Sequence, residues 1–141
     1  MRWTPPLPAA DAAGVVDYFE ECRRDGALLD LVIADLLGDS YLGEVTVALG
    51  DHRVGELGCG LIPAARGRGV ATEAMRLVAG WAFAALGLGR LQVFVARQNV
   101  AALRLVERAG FQPEGVLRAY WDADGERLDA VVLSLLPTDG R

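Results

Sequence analysis

Pro63 divides this sequence into two kinds of pattern. Ahead of it, residues 28–35, 41–49 and 53–62 read as strands, separated by the turn runs Gly38-Asp39-Ser40 and Gly50-Asp51. Behind it, after a short glycine-arginine loop, residues 72–86 place Met75, Val78, Ala82 and Ala85 at helical spacing, and Gly87 stops the run. Residues 91–96 are a short apolar strand of the buried kind, and residues 100–109 a second helix capped by Asn99 and ended by Gly110. Strands at 115–121 and 127–135 close the chain around Asp122-Ala123-Asp124-Gly125, a hairpin signal. A further helix is expected at 12–24, with Asp11 as its cap. Strands, helices and strands again in this order predict a mixed α/β (α+β) fold around one sheet, a single domain over residues 1–141.

The composition narrows the function classes. With 52% hydrophobic and 23% charged residues the chain is ordinary globular material, not disordered. A net charge of -5 argues against nucleic acid as a partner and is compatible with a cationic amine. No apolar run is long enough to span a membrane and the start lacks a secretory pattern, so a cytoplasmic setting is expected. Cys22 and Cys59 form no disulfide or zinc spacing and read as small buried hydrophobes; the lone His52 reads as a solvated loop residue, and no metal is expected.

The chemistry concentrates in Arg66-Gly67-Arg68-Gly69-Val70-Ala71-Thr72. Two glycines let the backbone turn tightly and approach a ligand, the first amides of the following helix lack intrahelical partners, and two arginines suit phosphate oxygens. From these residues alone, a phosphate cradle and a plain helix start with Thr72 as cap fit equally well. Two other phosphate loops are excluded. A P-loop ends in a lysine, and all 14 basic residues here are arginine. A dinucleotide fingerprint needs a third glycine where Thr72 stands, and an acidic residue where Arg97-Gln98-Asn99 follows the next strand.

The ordered set Glu56-Leu57-Gly58, Pro63, the 66–74 run, Trp81-Ala82-Phe83, Leu86-Gly87-Leu88, Asn99, Glu107-Arg108-Ala109-Gly110-Phe111, Glu114-Gly115-Val116-Leu117-Arg118 and Asp129 resembles the GNAT acetyltransferase superfamily. Within it, the set resembles the group of ribosomal-protein N-terminal acetyltransferases, the Rim type. The resemblance covers about residues 28–136 and implies a twisted mixed sheet that splays open beside the third strand. It implies acetyl-CoA as cosubstrate, with Leu61 and Ile62 pairing with the pantetheine, Arg66, Gly67, Arg68, Gly69, Val70, Ala71 and Thr72 around the pyrophosphate, and Asn99 and Arg104 as further contacts. Glu56 is the residue it offers as general base, against the plainer reading of a solvent-facing or substrate-binding carboxylate. The acceptor would be a primary amine on a small molecule or a peptide. An acyl-CoA-binding protein with little or no turnover is the alternative.

Two departures from the group stand out. Ala102 and Val106 occupy the positions where a serine or a tyrosine usually protonates the leaving thiolate, leaving water or another hydroxyl, such as that of Tyr120, for the task. The strand and helices that normally precede a segment like Trp3-Thr4-Pro5 are not in the sequence, which is read as a shortened chain, a misassigned start, or a site completed by a partner subunit in a homodimer.

Overall fold

The computed structural model describes residues 24–139. The helix expected at 12–24, along with Cys22, lies outside the described residues but for Arg24. Six strands form one sheet: β1 (Leu28–Ala34), β2 (Tyr41–Leu49), β3 (Val54–Leu61), β4 (Arg90–Ala96), β5 (Gln112–Ala123) and β6 (Glu126–Leu135), in the order β1-β2-β3-β4-β6-β5. Among the described residues two α-helices accompany them, α1 (Val70–Leu86) and α2 (Val100–Arg108). The mixed fold expected from the sequence is the one observed.

Alternation along the strands decides which face is covered. Val45, Val47, Leu57, Leu91, Val93, Val95 and Leu133 point to one face and form a single cluster with Met75, Ala79 and Ala82 of α1 and Val106 of α2. Gly55 belongs to this packing, since a Cβ there would come within 2.7 Å of the Leu88 side chain and 2.8 Å of Leu91. The glycine-rich look of β3 thus has a packing cause at this position. Glu56 and Gln92, Thr46, Phe94 and Ser134 share the opposite face, which no described helix covers.

The one parallel pairing is the feature that builds a site. β3 and β4 are joined at three positions only, Val54 with Arg90, Gly55 with Leu91 and Glu56 with Gln92. Beyond Glu56 the strands diverge, while β3 stays paired with β2 up to Leu61 and β4 with β6 up to Ala96. The sheet therefore splits into two leaves that open toward the C-terminal ends of β3 and β4.

β5 runs from Gln112 to Ala123, longer at both ends than its expected range of 115–121. It is the sheet's edge, where Pro113 is tolerated because no second neighbour needs its missing amide proton.

Candidate active site

A cleft of about 1000 Å³ occupies the split. Its walls are residues 57–61 of β3, 93–96 of β4, the loop and first turns of α1, one side of α2, and Trp121 and Leu128 from the last hairpin. At its mouth lies the 66–72 loop. Gly67 and Gly69 both hold φ of 75°, in the left-handed region that disfavours side chains. A Cβ on either would meet nothing within 4 Å, so the glycines serve backbone conformation and the space above them is open.

The helix begins two residues earlier than the sequence pattern indicates, with Gly69 as N-cap and no side-chain cap hydrogen bond. Thr72 is therefore not a cap but part of the first turn, and the first helical bond runs from Glu73 N–H to Gly69 O at 3.1 Å. The amides of Val70, Ala71 and Thr72 are left to a ligand or solvent at the positive end of a 17-residue helix. Sequence reading missed this start because a left-handed glycine at the N-cap carries no side-chain signature.

Most of the residues proposed for the cofactor come together here. Leu61, Arg66, Gly67, Gly69, Val70, Ala71, Thr72, Asn99 and Arg104 all line the cleft. Arg66 folds back, its guanidinium donating to Leu61 O from Nε at 3.4 Å and Nη2 at 3.3 Å. Asn99 both borders the cleft and caps α2, its Oδ1 accepting from Ala102 N–H at 3.2 Å. Ile62 and Arg68 stand outside the lining. Ile62 N–H donates to Leu42 O at 2.9 Å, so its amide is engaged by the β2 side, and Arg68 is exposed. The open strand edge is consequently 57–61.

Glu56 is the last β3 residue paired with β4, at the apex of the split. It is 7% exposed, which removes the reading of a solvent-facing carboxylate, and it is not part of the cleft lining. Asp30, Thr46 and Gly58 form a row on the same face, next to one containing Glu44 and Gly60. The Glu44 carboxyl is pushed up by burial and then by Asp30, partly offset by a hydrogen bond from Tyr41. Tyr41 is raised in turn by burial and by both carboxylates.

Cys59 is not the buried hydrophobe expected. It is exposed in the cleft wall, yet the protein around its sulfur desolvates it, and with Glu44 nearby its pKa is pushed up to about 11. Ala102 and Val106 both line the cleft and bring no proton to it. The sequence reading also passed over Phe94 and Trp121, which form part of the wall. An aromatic in a buried strand looks like core, and only the splay turns it toward a cavity. Among the described residues no group of acidic, cysteine and histidine side chains could hold a metal, and no helix is long and apolar enough to cross a membrane.

A family model described as acetyltransferase (GNAT) domain matches residues 1–112. The chain belongs to the GNAT acetyltransferase family. A probable N-acetyltransferase of Bacillus subtilis, YjcK, is 35% identical over 128 residues, 89% of this chain and 70% of that protein. An uncharacterized N-acetyltransferase of the same organism, YoaA, is 40% identical over 85 residues, 60% of this chain; the matched segment spans about half of that relative, 48%. Among solved structures, the spermidine N-acetyltransferase of Vibrio cholerae in complex with CoA and spermine superimposes with a TM-score of 0.81 at 24% identity, covering 89% of this chain and 75% of that one. At that identity the likeness concerns the fold.

Proposed function

We propose that this protein is an acetyl-CoA-dependent N-acetyltransferase that moves an acetyl group to a primary amine by direct attack. The observation that carries the reading is the uncapped first turn of α1 at the mouth of the split sheet. The residues present fit coenzyme A. The amides of residues 70–72, the open space above Gly67 and Gly69, and the guanidinium of Arg66 suit a pyrophosphate, with Arg68 and Arg104 as outlying cations. The edge of β3 that β4 leaves unpaired beyond Glu56 suits an extended pantetheine, which would pair with backbone as an added strand. Bound acetyl-CoA supplies the thioester carbonyl; the chain holds both reactants and excludes water.

Glu56 takes the base role in this reading. Buried at the apex and outside the cleft lining, it acts on the acceptor ammonium through a water. Asp30 and Glu44, on the same face, give a cationic acceptor a complementary surface. The acceptor is a small-molecule amine or a peptide N-terminus, the latter being what the Rim-type motif set favours. Thiol release from acetyl-CoA, assayed with a panel of polyamines and N-terminal peptides, tests the proposal. Stimulation by at least one amine is expected, and Glu56→Gln should lower kcat by about 10²–10⁴-fold with acetyl-CoA affinity unchanged.

A second reading, an acyl-CoA-binding protein with little turnover, is favoured by Ala102 and Val106 in the cleft wall. It is the correct one if acetyl-CoA binds in calorimetry and no amine raises thiol release above background.

A further inference from the structure

β5 is interrupted beside the cleft. Leu117 pairs with Ala130 and Trp121 with Leu128, so Arg118, Ala119 and Tyr120 together face Asp129 alone. Within this bulge Ala119 holds φ of 51°, a region that disfavours a residue with a Cβ. Something must hold it there, and β6 supplies it. Ala119 N–H donates to Asp129 Oδ1 at 2.8 Å, and Arg127 Nη2 donates to Ala119 O. Two side chains from alternate β6 positions thus replace the ladder bonds that the bulge removes. Asp129 is itself fixed from the residue that follows β4, since Arg97 Nη1 lies 3.3 Å from Oδ2 and Arg97 N–H donates to Asp129 O at 3.0 Å. Its carboxyl is held below the usual carboxylate range, chiefly by the Ala119 amide and further by Arg97.

The bulge determines where Tyr120 goes. Its ring lies flat on Phe94, with centroids 5.4 Å apart and 5° between planes, and meets Trp121 edge-on at 5.5 Å. Phe94 and Trp121 line the cleft. Were the ladder regular from Leu117 onward, Tyr120 would stand opposite Arg127. Phe94 is level with Val132, five residues away, roughly 16 Å along the strand and beyond stacking reach.

We infer that Asp129 is a positioning residue for acetyl transfer: by clamping the Ala119 bulge it sets Tyr120 against Phe94 and Trp121, backing the two aromatic rings that line the cleft. The inference rests on the cleft being the acetyl-transfer site. The phosphate cradle belongs to the α1 face and Tyr120 to the other, so loss of the clamp acts on the acceptor and spares coenzyme binding.

Four variants test this: Asp129→Ala, Asp129→Asn, Tyr120→Leu, and the double variant of Asp129→Ala with Tyr120→Leu. Proton NMR reads the Tyr120–Phe94 ring contact without any acceptor. It should persist in the wild type and in Asp129→Asn, which keeps an oxygen for the Ala119 amide, and vanish in Asp129→Ala. Persistence in Asp129→Ala overturns the inference. With spermidine and an N-terminal peptide as acceptors, Asp129→Ala and Tyr120→Leu should each lower kcat/KM for the acceptor by about 10–100-fold. The double variant should be no worse than either, with acetyl-CoA affinity unchanged in calorimetry. Additive losses, or a parallel loss of acetyl-CoA affinity, overturn it. Should Asp129→Ala not fold, Tyr120→Leu alone carries the acceptor test, and an unchanged kcat/KM overturns the inference. A wild type that binds no acetyl-CoA defeats the proposed function, a result separate from all of these.

Discussion

Gly69 does two jobs with one atom missing. It holds the left-handed conformation that starts α1, and it leaves the first amides of the helix uncovered. Gly69→Ala should cost about 1–2 kcal/mol of stability from the backbone alone. A bulkier Gly69→Val should also weaken acetyl-CoA binding steeply while circular dichroism still reports the fold; unchanged affinity in calorimetry would remove the pyrophosphate assignment. Cys59 offers a second readout at this scale. With its pKa near 11, it is protonated at neutral pH, where an unperturbed thiol near 8.5 already ionises in part. In a Cys22→Ser background, alkylation by iodoacetamide at pH 8 should run on the order of a hundredfold slower than for free cysteine and accelerate up to about pH 11. Acetyl-CoA should slow it further if the pantetheine lies along β3.

At the scale of elements, a polar cluster centred on one link between non-neighbouring strands ties the second leaf together. Arg90 of β4 bonds Gln92 at 3.2 Å and reaches across β6 to pair with Glu114 of β5, which also bonds Ser134 of β6. The Glu114 carboxyl is held below its usual value, first by the Arg90 hydrogen bond. A folded-state pKa below the unfolded one means that the stabilisation is complete above the unfolded value near 4.5 and is lost as pH falls through the folded one. Because both side chains are partly exposed, Glu114→Gln should cost no more than about 1 kcal/mol at pH 7. Urea melts should show that difference shrinking below pH 4.5. Much at this scale was legible in the sequence: α1 from its apolar spacing and Gly87, α2 from Asn99 and Gly110, and β2 to the residue. Periodicity reports burial, and these elements each bury one face. The limits of legibility are equally physical. A bulge at Ala119 has no glycine to announce it, because its strain is offset by Asp129 and Arg127, which lie beyond the turn in another strand. The engagement of the Ile62 amide depends on Leu42, and the burial of Glu56 on the neighbours of a sheet face. None of these is a local property of the chain.

For the whole molecule, the split sheet makes the folded state short of one partner. A ligand that binds only the folded chain adds RT ln(1 + [L]/Kd), about 2.7 kcal/mol at a hundred times Kd. For a domain of this length acetyl-CoA at that concentration should raise Tm by roughly 5–10 °C, a shift that calorimetry can read and that added salt should reduce as phosphate–arginine attraction is screened. The three-position seam between β3 and β4 has another consequence, for how the chain folds. β1, β2 and β3 follow one another as a simple meander and β5 and β6 form a hairpin, while joining that hairpin to β4, and β4 to β3, requires loops of similar length. The crossover through α1 that the seam closes is rewarded by three pairs, whereas the comparable loop between β4 and β6 is rewarded by six. Local pairings form before distant ones because loop closure costs entropy. The meander and the hairpin are therefore expected to form first and the seam, with the fewest pairs for its loop, to zip last, and in the native protein the amide of Gly55, which faces β4, should report seam opening at a lower free energy than global unfolding. On this view the junction from which the binding cleft springs is also the last part of the molecule to become native and the first to let go.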